Sequence, residues 1–345
     1  MSFNPQCIAT GIGSFPHTDA GAACDIILST IPEAPVWPQL SKIDFREQME
    51  IQFSEGLPCV VFDEVKKRIY FDKGGDYTHA LERFYQNYLE ENLNYFKISP
   101  EYAHGLYEMV RRLSGMHLSS IKYLKTQITG PITIGLSVVD ENKRAIYYDE
   151  IFRDVVVKGI AMKSRWLLDK FKSLGYRQIC FIDEPILSAF GSSTYVSVQR
   201  SDVVKCMSEV IEAIHKEGAL AGIHCCGNTE WTILMDAGVD IISLDAYDFG
   251  ETLGYYPKQT KEFLGKGGAI AWGIVPTSEK VLHETTESII RQLEQRIENL
   301  ASKGIERSLL WERCLITPAC GTGTRSVELA EKIFTRLSEV RTALR

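Results

Sequence analysis

The sequence predicts an α/β protein with one domain over residues 1–345, a (β/α)₈ barrel of the TIM type. Three observations predict it. Short apolar runs that end in Gly, Pro, Asp or Ser recur along the chain, as buried parallel strands do. Amphipathic stretches of helical period separate these runs, and 345 residues suit one barrel domain. A doubly wound sheet is the alternative, but the first turn, "GIGSFPHT", lacks the third glycine of a dinucleotide motif.

The eight predicted strands cover residues 7–13, 58–63, 122–130, 178–183, 220–226, 240–245, 269–274 and 314–317. The helices predicted most clearly cover residues 151–174, 201–217, 285–303 and 327–344, where apolar residues recur at spacings of three and four. A long insertion, residues 64–121, is expected after strand two. Long loops in a compact domain are often functional, as is also expected for residues 191–202 after strand four.

Composition narrows the function classes. The formal net charge is −7, which argues against nucleic acid and anionic membranes as partners and leaves small molecules and proteins. No apolar run is long enough to span a bilayer, and the first residues do not resemble a signal peptide. The nine cysteines show no disulfide framework. A cytoplasmic protein is therefore expected.

Polar side chains follow several predicted strands where each strand ends, and catalytic groups of a barrel lie at those ends. Acidic residues follow strands four and six, and thiols and an imidazole follow strands five and eight. The candidate residues are Gly13, Ser14, Asp183, Glu184, His224, Cys226, Asp245 and Cys320. The acidic pair after strand four is expected to bind a cationic group or to orient a ligand.

The stretch "HCC" divides into two faces of a strand. Alternate residues share a face, so His224 and Cys226 point together and Cys225 points away. Cys320, in the loop after strand eight, can reach the same point. Two thiolates and one imidazole suit Zn²⁺, and three protein ligands with an open fourth position are typical of catalytic zinc. The alternative is that these cysteines only pack in the core. We expect such packing of the six other cysteines, which are Cys7, Cys24, Cys59, Cys180, Cys206 and Cys314.

Six motifs occur in the order that is found in the catalytic barrel of cobalamin-independent methionine synthases: "GIGSFPHT", "ITGPITIG", "FIDEP", "HCCGN", "ISLDAYD" and "PACGTGTRS". The chain resembles this family, and the related corrinoid- and uroporphyrinogen-type barrels, over nearly its whole length. The resemblance implies zinc held by His224, Cys226 and Cys320. Asp245 stands where the family has a glutamate ligand; it is shorter, so it is either a fourth ligand or lies behind the ligands.

The resemblance also implies a substrate and a reaction. Ser14 and the neighbouring backbone, including Gly13, would hold the carboxylate of homocysteine, and Asp183 its amino group. Zinc deprotonates a thiol that it binds, and the thiolate is the nucleophile. Homocysteine would thus accept a methyl group and become methionine.

Three departures from the family concern the methyl donor. The chain has the length of one barrel, where the folate-dependent enzyme has two. No tryptophan stands shortly after "GPIT", and no histidine stands at the end of strand seven, "WGIVPT", to protonate a leaving folate nitrogen. A methylcorrinoid needs no such acid, so we expect methylcobalamin on a partner corrinoid protein as the donor. The chain itself lacks the D-x-H-x-x-G motif of corrinoid carriers.

Other functions remain open at this point. Methyltetrahydrofolate could be the donor, or another thiol such as coenzyme M the acceptor. A uroporphyrinogen-type decarboxylase would use arginines near the amino terminus, but none precedes Arg46. A non-enzymatic corrinoid-binding or zinc-storage module would show a closed metal site.

Overall fold

The computed structural model describes residues 3–115 and 118–345; residues 1, 2, 116 and 117, which the predicted domain includes, lie outside the described residues. Seven parallel strands form one curved sheet, and two further strands form an antiparallel hairpin. The strands are β1 Ile8–Ala9, β2 Val60–Asp63, β3 Arg68–Phe71, β4 Tyr123–Thr129, β5 Arg177–Asp183, β6 Leu220–Cys225, β7 Ile241–Leu244, β8 Ala269–Val275 and β9 Cys314–Pro318. The sheet order is β1-β9-β8-β7-β6-β5-β4, so the predicted α/β fold with a TIM-like barrel is confirmed.

Helices surround the sheet and fill the connections between strands. They are α1 Ala20–Thr30, α2 Met49–Gln52, α3 Thr78–Leu89, α4 His104–Ser114, α5 Pro131–Ser137, α6 Glu150–Lys172, α7 Arg200–Lys216, α8 Trp231–Asp236, α9 Ala246–Phe249, α10 Pro257–Gly265, α11 Thr286–Ala301, α12 Arg307–Glu312 and α13 Val327–Ala343. Among the described residues, no helix is both long and apolar enough to cross a membrane.

The prediction for strand two is wrong. Residues 60–63 do form a strand, but β2 pairs with β3 in the hairpin and contributes nothing to the barrel sheet. The last residue of β2, Asp63, forms ion pairs with Lys66 and Arg68 at 3.6 and 3.5 Å. It therefore lies in the hairpin and not at the carboxyl ends of the barrel strands. The apolar run was therefore correctly recognised as a strand and assigned to the wrong sheet.

The second barrel position is held by residues 33–39, which lie between β1 and β4. Gln39 pairs with Ser14, and Val36 pairs with Lys125, both in parallel. Backbone bonds include Gln39 N to Gly13 O at 2.9 Å and Lys125 N to Pro35 O at 2.9 Å. Two prolines in this segment, Pro35 and Pro38, lack the N–H that a regular ladder needs. This irregular segment closes the ring, and we call it the seam.

The apolar core has two parts. A small cluster lies inside the barrel and includes Tyr123, Phe181 and Leu315, whose side chains come from the early part of β4 and from β5 and β9. A larger cluster lies between the sheet and the helices. Strand alternation produces this division, because each strand is covered on both faces. The metal-type ligands lie beyond the inner cluster, at the carboxyl ends of the strands.

Short polar side chains cap the starts of several helices. The Asp149 side chain accepts from the N–H groups of Ile151 and Phe152 at the start of α6. Thr285 forms a capping box with Ser288 at the start of α11, and Ser326 caps α13 by accepting from Leu329 N at 3.2 Å. Such caps satisfy N–H groups that have no partner within the helix.

Replacing Gly105 with alanine should strongly destabilise the protein, because α4 packs against the seam at this residue. A Cβ atom on Gly105 would lie 2.0 Å from the carbonyl oxygen of Pro38, which is backbone and cannot turn aside. We expect a loss of about 3 kcal/mol in the free energy of unfolding, measured by urea denaturation.

Gly265→Ala is the matched control, since a Cβ there would meet no atom within 4 Å. This change should alter stability by no more than about 1 kcal/mol. Equal stability of the two variants would contradict the placement of the seam against α4.

Candidate metal centre

A cavity of ≈ 390 Å³ opens at the carboxyl ends of the strands. It is lined by Ile12, Ser14, Gln39, Ser41, Glu47, Gln48, Met49, Glu50, Asp183, Pro185, His224, Cys226, Cys320, Gly321, Gly323, Thr324 and Arg325. Five of the eight candidate residues from the sequence are in this set. The position is the one where barrel enzymes carry their active sites.

Three of the lining residues bring ligand atoms together. His224 is the last residue of β6 that points into the barrel, and Cys226 is the first residue after that strand. Cys320 comes from the loop after β9. Their ligand atoms all lie within 4.8 Å of one another, a separation that one metal ion can bridge. Cys225 is fully buried and outside this cluster, and its Sγ lies 3.6 Å from the carbonyl oxygen of Gly227.

The imidazole of His224 is oriented by Ser243 on the neighbouring strand β7. His224 Nδ1 lies 3.0 Å from Ser243 Oγ, and the two residues are in register in the sheet. His224 Nε2 is buried and has no hydrogen-bond partner among the described residues. A buried polar atom without a partner is costly, and a metal ion on Nε2 would remove that cost. The donor set and this free nitrogen therefore fit a zinc ion.

The two thiols are electrostatically coupled. The contact with Cys320, and the closeness of the His224 imidazole, lower the pKa of Cys226 to about 4. The same contact with Cys226, together with burial, raises the pKa of Cys320 well above its ordinary value. Cys226 therefore ionises readily, and its negative charge opposes the ionisation of Cys320. A divalent cation would offset the repulsion and allow both sulfurs to bind as thiolates.

Ser14 is held in the cavity wall by the glycine-rich loop after β9. Its carbonyl oxygen accepts from Thr322 N and Thr322 Oγ1, each at 2.9 Å, and its Oγ accepts from Gly323 N at 3.2 Å. A Cβ on Gly321 would lie 2.1 Å from Ser14 Oγ, so a side chain there would displace the Ser14 hydroxyl from this position. The loop that carries Cys320 thus also fixes Ser14.

Gly13 permits a second close approach, between β1 and β4. A Cβ on Gly13 would lie 2.8 Å from the side chain of Gln127. Gln127 is fully buried and donates through Nε2 to the Trp37 carbonyl oxygen at 3.0 Å. Because it has no side chain, Gly13 lets the backbone pass close to Gln127 just before Ser14.

Asp183, at the end of β5, is an unsatisfied acid in the cavity. Its Oδ1 is buried and has no hydrogen-bond partner among the described residues. Burial raises the pKa of Asp183 to about 6, against the opposing effects of Lys125 and His224. Lys125 lies inside the barrel, where its Nζ donates to Ile12 O at 2.7 Å. A cationic ligand would supply the donors that Asp183 lacks.

Glu184 points away from Asp183, into the start of α5. Its carboxylate accepts from Ile132 N at 2.9 Å, Thr133 N at 2.7 Å and Thr133 Oγ1 at 2.6 Å. A Cβ on Gly130 would lie 2.1 Å from this carboxylate, which shows how tightly it is enclosed. Burial raises the pKa of Glu184 to about 7. Its contacts tie β5 to α5, and it is not among the cavity-lining residues.

Asp245 lies outside the converging ligand set. Its Oδ1 accepts from Asp248 N at 2.9 Å and so caps the short helix α9. Burial raises the pKa of Asp245 to about 6, and the charge of His224 acts in the opposite direction. The structure therefore brings His224, Cys226 and Cys320 together and leaves Asp245 beside them, within electrostatic range of the imidazole.

Part of the cavity wall was not predicted from the sequence. Gln39 belongs to the seam, and Glu47 and Met49 belong to the segment that follows it. Glu47 is buried and accepts from Leu40 N at 2.8 Å and from His104 N at 3.0 Å. Arg325, in the "GTGTRS" motif, also lines the cavity. That motif was a signal for Arg325, whereas the seam carries no pattern that marks a barrel strand.

Replacing Ser243 with alanine should weaken metal binding and leave the fold intact, because His224 then loses the group that orients Nδ1. Loss of a hydrogen bond behind a metal ligand typically lowers metal affinity about 10- to 100-fold. We expect a change of that size in the zinc dissociation constant, measured by competition with a chromophoric chelator.

Ser164→Ala is the control for Ser243→Ala. Ser164 is equally buried, but its Oγ bonds to Ala161 O at 2.7 Å within α6. Its zinc affinity should match that of the wild type. An unchanged zinc affinity in Ser243→Ala would show that Ser243 does not support the ligand.

The comparison with solved structures finds a likeness over almost the whole chain. The structure of a B12-independent methionine synthase from Shewanella sp. W3-18-1, in complex with selenomethionine, matches with a TM-score of 0.61. The alignment covers 97% of this chain and 97% of that one at 13% sequence identity, so the likeness is one of fold. No protein-family model matches the sequence, and no curated protein matches it.

Proposed function

We infer that the protein is a zinc-dependent S-methyltransferase that makes methionine from homocysteine. One observation carries this proposal: His224, Cys226 and Cys320 converge in a cavity that also holds Ser14 and the unsatisfied acid Asp183. The cavity thus combines a metal-type donor set with groups for both ends of an amino acid. The fold neighbour, a B12-independent methionine synthase, supports the same reaction class.

Three protein ligands leave a fourth position for the substrate. His224 Nε2 and the sulfurs of Cys226 and Cys320 would hold the zinc ion. Zinc lowers the pKa of a bound thiol and so supplies the nucleophilic thiolate at neutral pH. Asp245 supports His224 electrostatically from outside the ligand set.

The remaining groups recognise an amino acid. Asp183 accepts hydrogen bonds from the substrate ammonium. The positive charge of that group also stabilises the ionised carboxylate, which burial disfavours. Ser14 Oγ and the backbone around Gly13 bind the carboxylate. Because the amino acid is held by its ammonium and its carboxylate, its thiol reaches the ligand cluster in one orientation. Such positioning accelerates a reaction between two bound groups.

In the reaction, the substrate sulfur forms a bond to the methyl carbon as the bond from that carbon to the donor breaks. The electron pair of the broken bond stays with the donor. A cobalt leaving group takes this pair without a proton, whereas a folate nitrogen needs a general acid. No histidine is among the cavity-lining residues besides His224, itself a proposed ligand. Methylcobalamin, presented by a partner corrinoid protein, is the donor that we propose, since it requires no general acid.

The donor is tested by direct comparison. We expect the zinc-loaded protein to convert homocysteine to methionine with methylcobalamin at a rate at least about tenfold above that with methyltetrahydrofolate. Methionine formation is measured by mass spectrometry. Methyltetrahydrofolate is the competing donor, favoured by the B12-independent neighbour. Comparable rates with the folate alone would refute the corrinoid proposal and leave the methyltransferase proposal intact.

The acceptor is tested with the same assay. Coenzyme M has a thiol but neither an α-amino nor a carboxylate group, so it offers nothing to Asp183. We expect it to react far more slowly than homocysteine. Equal rates with both thiols would show that Asp183 and Ser14 do not select an amino acid.

A further inference from the structure

A second cavity lies at the opposite end of the barrel from the metal centre. It has a volume of ≈ 360 Å³ and is lined by residues that precede β1, by the first residues of β4 and β5, and by α13. Since parallel strands all begin at one end of a barrel, this cavity is a separate site. Its lining comprises Asn4, Pro5, Gln6, Ile8, Lys122, Tyr123, Arg177 and Arg341.

The charge around this cavity is strongly positive, although the chain as a whole carries −7. Lys122, Arg341 and Arg345 all pair with one carboxylate, Glu33, at 2.7, 2.9 and 2.6 Å. Although burial opposes them, hydrogen bonds from Arg341 and Lys122 lower the pKa of Glu33 to about 2. Three cations line the cavity, Lys122, Arg177 and Arg341, against the single carboxylate of Glu33, an excess of two positive charges.

Two guanidinium groups at this cavity keep donors without acceptors. Arg177 donates through Nη1 to the neutral hydroxyl of Tyr123 at 3.0 Å, and its Cζ lies 4.9 Å from the centroid of that ring. It has no ion pair among the described residues. Arg341 donates through Nε to Glu33 and, within the described part of the chain, has no acceptor for Nη1 or Nη2. Its side chain is only 12% exposed, so most of the guanidinium's stem is packed while its two terminal amino groups face the cavity that it lines.

We propose that this cavity binds a small phosphate-bearing anion. A guanidinium presents donors in a fork that matches phosphate oxygens, and charge-assisted bonds of this kind are among the stronger ones in proteins. The Nε–Nη2 edge of Arg177 and the free amino groups of Arg341 supply such donors, and Lys122 adds a point charge. Glu33 holds Lys122 and Arg341 in place and neutralises one of the three positive charges that line the cavity.

Binding at this site would connect parts of the chain that are distant in sequence. Arg177 begins β5, Lys122 precedes β4, and Arg341 lies near the end of α13. An anion bound by all three would tie α13 to the strands beside the seam. A ligand of the folded state stabilises it by mass action, so phosphate should also raise the midpoint of thermal unfolding.

The experiment is isothermal titration calorimetry of the full-length zinc-loaded protein at low ionic strength. Inorganic phosphate is the first probe and glycerol 3-phosphate the second, with chloride at equal ionic strength as the reference. We expect saturable phosphate binding by the wild type and an increase of about tenfold in the dissociation constant in Arg177→Gln. Tighter binding of the monoester would assign the site to a phosphorylated metabolite, and equal binding to free phosphate.

Arg291→Gln is the matched control, because Arg291 is an exposed arginine of α11 that lines neither cavity. It should bind phosphate as the wild type does. Lys122→Gln is a second test variant that keeps the proposal testable should Arg177→Gln fail to fold, as judged by circular dichroism. Heats that match those of chloride, or unchanged affinity in a folded Arg177→Gln or Lys122→Gln, would overturn the proposal. Zinc content should be the same in all variants.

Discussion

Serine in place of Cys226 is expected to abolish both zinc binding and methyl transfer. A serine hydroxyl is a poor zinc ligand compared with a thiolate, and only His224 and Cys320 would remain of the converging set. Purified Cys226→Ser should retain less than about a tenth of the zinc of the wild type. Its methionine formation should fall at least about a thousandfold, since metal activation is worth several kcal/mol.

Cys225→Ser provides a control at the adjacent position. Cys225 is fully buried on the other face of the strand, and a serine hydroxyl there could donate to the Gly227 carbonyl oxygen. Zinc content by atomic emission, and activity, should stay close to those of the wild type. If Cys225→Ser lost as much zinc as Cys226→Ser, the division of the "HCC" stretch into a ligand face and a packing face would be wrong.

The second large effect is on stability, at Glu184. Removing its carboxylate in Glu184→Ala leaves three buried donors at the start of α5 without an acceptor. Each such group costs about 1–3 kcal/mol, so the loss in the free energy of unfolding should be on the order of 4 kcal/mol. Urea denaturation monitored by circular dichroism measures this loss.

Glu184→Gln separates the loss of acceptors from the loss of volume. The amide keeps the shape and one acceptor oxygen, so this variant should lie between the wild type and Glu184→Ala in stability. If Glu184 instead bound substrate, both variants would unfold like the wild type and differ from it in the Michaelis constant for homocysteine. That outcome would contradict the role of Glu184 as the link between β5 and α5.

The difference between Asp183 and Glu184 shows what strand alternation can predict. Alternation separated Cys225 from Cys226 correctly in the sequence, because both residues belong to one strand and its continuation. The same argument separates Asp183, in the cavity, from Glu184, which faces α5. The sequence prediction treated these two acids as a pair because both follow a strand end, and position alone does not show where a side chain points.

The seam was beyond sequence analysis for a different reason. Residues 33–39 include two prolines and no alternating pattern, so they are typical of a loop. Their place in the barrel comes from tertiary contacts with β1 and β4, among them the bond from Gln127 Nε2 to Trp37 O. The run at 58–63 has the better strand pattern, yet its partner is the neighbouring hairpin strand. Local pattern predicts that a strand forms and not which sheet it joins.

Ser243 illustrates the limit for support residues. It is a small polar residue inside an apolar strand, and nothing in its local sequence indicates contact with His224. The contact exists because β6 and β7 pair in a register that sets His224 opposite Ser243. Candidate ligand residues can be predicted from their positions at strand ends. The residues that hydrogen-bond to them depend on the register between strands, which the sequence alone does not define.

The pairing of β1 with β9 has a consequence for the order in which the protein matures. Ribosomes deliver the chain from its amino terminus, so His224 and Cys226 emerge almost a hundred residues before Cys320. Until β9 inserts between β8 and β1, the nascent barrel offers an ion two donors and leaves Ser14 without the loop that fixes it. At the proposed zinc site, metal capture would therefore be a late event of biogenesis, and a bound ion would mark a polypeptide whose barrel has already closed.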